Sequence, residues 1–167
     1  INMSIGQGFL LVSPLQMAVV TAAVANGGYV VTPTLAKQAI ARNGAVKFRP
    51  DPKKTKIDVK PEFLASVRRG MRGAVTHGTS VATNLPQVQV AGKTGTVENS
   101  PSIHNKHGRN HVWFVSFAPY ENPEVTVVVF LEKSHGYGGS LAAPIARKCY
   151  EHLYPVKAPE SKDVTVL

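Results

Sequence analysis

Lys93, Thr94, Gly95 and Thr96 set a cation, two hydroxyls and a bare backbone position side by side, in the run Val88-Gln89-Val90-Ala91-Gly92-Lys93-Thr94-Gly95-Thr96-Val97. Val88 and Val90 alternate with polar or small neighbours, which is the two-residue period of a half-buried strand. Gly92 and Gly95 weaken such a strand unless something approaches its backbone closely. A strand edge of this composition suits an extended ligand that ends in a carboxylate. The Lys93 ammonium attracts over distance, and the Thr94 and Thr96 hydroxyls bond at short range. Free edge N–H and C=O groups pair with the ligand's own backbone.

The remaining chemical groupings are weaker. His104, His107 and His111 are spaced three and four apart, so on one helix they could hold zinc. They lie between two strand-like runs, with Pro101 and Gly108 nearby, which fits a loop beside the groove better than a metal site. Gly6-Gln7-Gly8 lacks the rest of a dinucleotide fingerprint. Neither a metal nor a cofactor is therefore expected. Cys149 falls on a stripe with Leu141, Ile145 and Leu153 and reads as a packed thiol, not a nucleophile. As the single cysteine it excludes an intrachain disulfide and a cysteine-rich metal site. Arg68, Arg69 and Arg72 share one helix face, which reads as solvated surface before it reads as a phosphate site.

Several elements must position the Lys-Thr strand. Ser13-Pro14-Leu15-Gln16 predicts a capped helix running to about Asn26 and ended by Gly27-Gly28. Its apolar residues lie all round, so it belongs inside a larger body and would leave an apolar patch if bared. Tyr29-Val30-Val31 reads as a short strand. Residues 36–60 are basic and turn-rich; Asn43-Gly44 is a hairpin signal, while Pro50, Pro52, Lys53, Lys54 and Lys56 read as an exposed loop. Pro61 opens a second helix to about Val75, with Phe63, Leu64, Val67, Met71 and Val75 inward and the three arginines on the other side. After the turn at Gly78-Thr79-Ser80 a short helix to Leu85 leads into the Lys-Thr strand. The runs 112–118 and 125–131 are strong strands, predicting a three-stranded antiparallel meander covered on both faces. Residues 135–140 read as a mobile turn, with Ser140 capping a last helix. Beyond Pro155 the composition is that of a loose tail.

A chain of 167 residues with net charge +9 can form one domain, and its charge attracts any polyanion alike. The apolar run 17–25 is far too short to cross a bilayer, and Ile1-Asn2-Met3-Ser4 has no leader pattern. The chain opens directly in structured-looking sequence, so a segment of a longer protein is expected.

Three stretches together resemble the class B penicillin-binding proteins of the elongation type. They are Lys93-Thr94-Gly95-Thr96; the segment from Ile5-Gly6-Gln7-Gly8 through Pro14, Gln16-Met17-Ala18 and Asn26-Gly27-Gly28; and Trp113-Phe114 with Phe117-Ala118-Pro119. The resemblance covers the C-terminal part of the family's transpeptidase domain. It implies an α/β (α+β) fold shared with the serine β-lactamases, an antiparallel sheet flanked by helices with a groove between sheet and helical part. Residues 1–154 would be domain and 155–167 tail. It implies peptidoglycan D,D-transpeptidation through a serine acyl-enzyme, with β-lactams as mimics of the donor stem peptide. In that reading Lys93 stabilises negative charge and assists proton movement. Thr94 and Thr96 bind the donor carboxylate, Gly95 keeps the edge open, and the Thr96 N–H joins the oxyanion hole. The chain contains no S-x-x-K and no Ser-x-Asn, so the nucleophile is expected in a missing N-terminal part of the same protein. Further partners implied are other cell-wall synthesis proteins, and not nucleic acid, at the periplasmic face of the inner membrane. Two alternatives stand beside this reading: a β-lactamase or β-lactam sensor of the same fold, and a non-catalytic basic binding module.

Overall fold

The computed structural model describes residues 10–97 and 110–156. The tail reading falls almost wholly outside them, as do His104 and His107.

Helix α1 (Pro14–Ala25) starts as its sequence dictates. The Gln16 amide donates to Ser13 Oγ (3.2 Å) and the Ser13 amide to Gln16 Oε1 (2.8 Å), so two N-terminal donors are satisfied reciprocally. At the other end Gly27 and Gly28 take φ of +81° and +97°, a left-handed turn that drops the chain into β1 (Tyr29–Val31). The hairpin of β2 (Ala39–Ile40) and β3 (Val46–Phe48) turns at Asn43-Gly44, with Gly44 at φ +83°. The lysine-rich stretch read as an exposed loop is in part a strand: β4 (Lys54–Lys56) pairs antiparallel with β1. Lys56 is tied down there, donating to the Gly27 carbonyl (2.6 Å) and lying over the Tyr29 ring.

Helix α2 (Pro61–Thr76) buries Leu64, Met71 and Val75 as expected, but Phe63 and Val67 are exposed. Two of its arginines point inward instead. Arg68 donates to the carbonyls of Ala25 and Tyr120, and Arg72 to that of Val90 (2.7 Å). Helix ends and strand ends carry carbonyls with no regular partner, and a guanidinium on an aliphatic stem can donate to them where an apolar side chain cannot. Arg69 stays exposed.

A short 3-10 turn (Val81–Thr83) follows and leads into the main sheet. Its order is β5-β6-β7, all antiparallel: β5 (Ala91–Val97), β6 (Asn110–Ala118) and β7 (Val125–Ser134). The predicted meander is thus present, though the ladder begins at Ala91, three residues after Val88. Strand alternation divides its side chains. Val112, Phe114 and Val129 join one core with α3 (Ala143–Leu153), while Phe117 joins another with Ala25 of α1 and Met71 of α2. Helices therefore cover both faces.

Helix α3 does not use the stripe its large apolar residues mark. Ile145, Cys149 and Leu153 are exposed, and Ala143, Ala146 and Tyr150 face the sheet. Two alanines let the helix approach closely, and one large aromatic fills the space beyond. The Tyr150 hydroxyl donates to Ser116 Oγ (3.0 Å), which donates to the Val127 carbonyl (3.0 Å). Burial pushes the Tyr150 phenol well above its ordinary pKa, against the smaller opposing pull of the Ser116 bond. Ser140 does not cap α3. It lies in a π-helical turn (Gly138–Ala142), where its hydroxyl bonds the Tyr137 backbone.

Candidate active site

Strand β5 is an edge strand of the main sheet, and its register fixes where each side chain points. Lys93 pairs with Val115, Thr94 with Phe114, Gly95 with Trp113 and Thr96 with Val112. Lys93 and Gly95 therefore share a face with Val115 and Trp113, on the side of α1. Thr94 and Thr96 share the opposite face. The structure brings the four predicted residues onto one strand and splits the cation from the hydroxyls.

The Lys93 side opens onto apolar space. A groove of about 970 Å³ runs between α1 and α2 past Met17, Val20 and Met71 and ends at Lys93 and Val115. A second, of about 570 Å³, follows β5 from Lys93 to Val97 beside Trp113 and Phe130, with Leu10 and Leu11 across from them. Lys93 is exposed and its ammonium donates to the Thr94 carbonyl (2.7 Å). Leu11, Leu15 and Val20 of the α1 region are exposed as well, the apolar patch that an all-round apolar helix leaves. A smaller cavity of about 350 Å³ at Gly27, Leu64, Arg68 and Tyr120 includes none of the β5 residues.

The hydroxyl side is closed by two backbone segments. Thr79 Oγ1 lies 2.9 Å from Thr94 Oγ1, and the Gly138 amide donates to Thr96 Oγ1 (3.3 Å). Gly138 and Gly139 sit so close that side chains do not fit. A Cβ on Gly138 would stand 2.5 Å from the Trp113 carbonyl oxygen and 2.9 Å from that of Gly95, and one on Gly139 2.3 Å from that of Thr79. The turn at 135–140, expected to be mobile, is seated against the back of β5. Sequence reasoning missed both supports; the signal was the pair Gly138-Gly139 just before a helix, which marks close backbone approach.

His111 lies on β6, not in a loop, and its Nδ1 accepts from the Lys133 amide (3.2 Å). Among the described residues no group of three or more His, Cys, Asp or Glu side chains could hold a metal, and no helix is long and apolar enough to cross a membrane.

The model of the penicillin-binding protein transpeptidase domain matches residues 1–151. The chain belongs to the penicillin-binding protein transpeptidase family. It is 32% identical, over 182 aligned residues, to the peptidoglycan D,D-transpeptidase MrdA of Haemophilus influenzae, covering 99% of this chain and 27% of that protein. It is 33% identical over 148 residues to the peptidoglycan D,D-transpeptidase PbpA of Mycolicibacterium smegmatis, covering 86% of this chain and 30% of that protein. Among solved structures, the ceftriaxone acyl-enzyme complex of penicillin-binding protein A from M. tuberculosis superposes with a TM-score of 0.80 at 32% identity, over 90% of this chain and 34% of that one. The chain thus spans about a third or less of these relatives.

Proposed function

We propose that this chain supplies one wall of the active site of a serine peptidoglycan D,D-transpeptidase. The serine, its lysine partner and the Ser-x-Asn element belong to other parts of the same protein. The serine attacks the D-Ala–D-Ala carbonyl of a donor stem peptide, D-Ala leaves, and an amine of a second stem peptide takes the acyl group. β-Lactams acylate the same serine. The relatives support this, being named D,D-transpeptidases, and one of them is held as a β-lactam acyl-enzyme.

The observation that carries the reading is β5 itself. Its open edge offers backbone pairing to an extended peptide, with Lys93 in front and Thr94 and Thr96 behind. In this reading Lys93 holds the field that favours anionic oxygen and assists proton movement at the Ser-x-Asn serine. Thr94 and Thr96 bind the donor carboxylate. The Thr96 N–H joins the oxyanion hole, where one donor is worth roughly 3–4 kcal/mol in the transition state. Gly95 keeps the edge low. The protein works on peptidoglycan at the periplasmic face of the inner membrane, beside other wall-synthesis proteins, and residues 1–154 form part of its catalytic domain.

The test is the intact enzyme mixed with benzylpenicillin and with a chromogenic cephalosporin. Stoichiometric, slowly reversed labelling is expected. Rapid turnover of the cephalosporin would instead assign a β-lactamase, and no labelling would remove the chain from acyl-enzyme chemistry.

A further inference from the structure

Thr79 belongs to the turn after α2, fourteen residues before Lys93 by the numbering. In the structure its hydroxyl reaches Thr94 of β5, and the residue also lines the groove that ends at Lys93. Its Oγ1 lies 2.9 Å from Thr94 Oγ1, and either hydroxyl can be the donor. Thr79 is exposed and Thr94 half-buried, so the contact sits at the rim of the site. The turn is also held in place. Gly78 packs on the Ala74 backbone, where a Cβ would come within 2.8 Å, and the Thr79 carbonyl is pressed against Gly139.

A hydroxyl has one proton to give and can accept two. A carboxylate only accepts. If Thr94 binds a carboxylate, as the proposed function holds, its single proton must go to that ligand. Thr79 must then be the donor of the pair. We propose that Thr79 is a positioning residue: its hydroxyl donates into Thr94 Oγ1, aims the Thr94 O–H at the anionic end of the substrate, and polarises it. A hydroxyl that accepts one hydrogen bond donates a stronger one. Thr79 thus acts on the ligand through Thr94 and makes no contact of its own. This inference rests on the carboxylate reading of Thr94.

The experiment compares acylation of the intact enzyme by benzylpenicillin and by its methyl ester, which lacks the anionic oxygen. The variants are Thr79→Val, Thr79→Ser, Thr94→Val and the double variant Thr79→Val/Thr94→Val. Thr94→Val is expected to slow the acid about 10- to 100-fold and the ester little, the range for losing a hydrogen bond to a charge. Thr79→Val, nearly isosteric, is expected to slow the acid about tenfold or less, again sparing the ester. Thr79→Ser restores the rate, and the double variant is no slower than Thr94→Val alone. Losses from the two sites that multiply would make Thr79 a direct ligand and overturn the proposal. So would a Thr79→Val variant with an unchanged acid rate, or one slowed equally on acid and ester. If Thr94→Val itself does not separate acid from ester, the carboxylate reading fails; if it does and Thr79→Val does not, only the present inference fails.

Discussion

The two sides of β5 are built in opposite ways. In front, Lys93 and Gly95 look across apolar grooves toward α1, and the ammonium is exposed on a long flexible stem. Behind, Thr94 and Thr96 are met at hydrogen-bond distance by Thr79 and the Gly138 amide, and two glycines bring foreign backbone into contact. The alternation of a strand forces this division, since neighbouring side chains cannot share a face. In the proposed function a ligand lying along the edge, between the faces, reads both. Charge needs no exact placement because it acts over distance, so its side can be open. Hydroxyl bonds fail steeply with angle, so their side has to be rigid.

Disturbing the rigid side should do the most. Gly138→Val would drive carbon into the Trp113 and Gly95 carbonyls, and β5 must move to admit it. Penicillin acylation of the intact enzyme should fall by more than about 100-fold, with stability lowered by about 1–3 kcal/mol. Normal acylation would show that the back of β5 is no seat. Lys93→Ala tests the open side. Acylation should drop about 100-fold, because in the proposed function Lys93 stabilises charge in the transition state. The melting temperature should stay put, since the ammonium is exposed and, among the described residues, bonds its own neighbour's carbonyl. A large loss of stability would make Lys93 a structural residue.

Two smaller changes ask whether each side's scaffold is separable from its chemistry. Tyr150→Phe, behind the sheet, removes the hydroxyl bonded to Ser116 and should cost about 1 kcal/mol of stability, with acylation intact. It also alters the alkaline limb. The folded Tyr150 pKa is raised, so above about pH 10 the unfolded chain loses this proton first. The stability Tyr150 contributes is full below that pH and is lost as pH rises; the phenylalanine variant lacks this one step, as denaturation followed from pH 8 to 11 would show. Ser13→Ala, at the start of the α1 wall in front, should cost about 1 kcal/mol or less by undoing the capping box.

Elements with strong local chemistry were legible from sequence. The Ser13 cap, the Gly27-Gly28 stop, the Pro61 helix start and the apolar strands all have short-range causes, and each lies within a few residues of its expected bounds. Inward faces were less legible. Apolar size pointed to Phe63 and Val67 on α2 and to Ile145, Cys149 and Leu153 on α3, yet these are exposed. What faces the sheet was chosen by fit: alanines where α3 approaches closely, and arginines where carbonyls lacked partners. For the site, the Lys93 to Thr96 run was legible because its composition is odd for a strand. Its supports at Thr79 and Gly138 were not, since they arrive from distant parts of the chain and no local pattern links them to β5. The division of lysine from threonines follows from strand alternation alone.

The most direct measurement is a crystal structure of the intact enzyme acylated by benzylpenicillin. The antibiotic is expected to lie along β5, with its carboxylate oxygens within about 3 Å of Thr94 Oγ1 or Thr96 Oγ1 and Lys93 on the other side of the strand. A carboxylate held elsewhere, with the threonine hydroxyls facing away from it, would remove β5 from the role proposed for it.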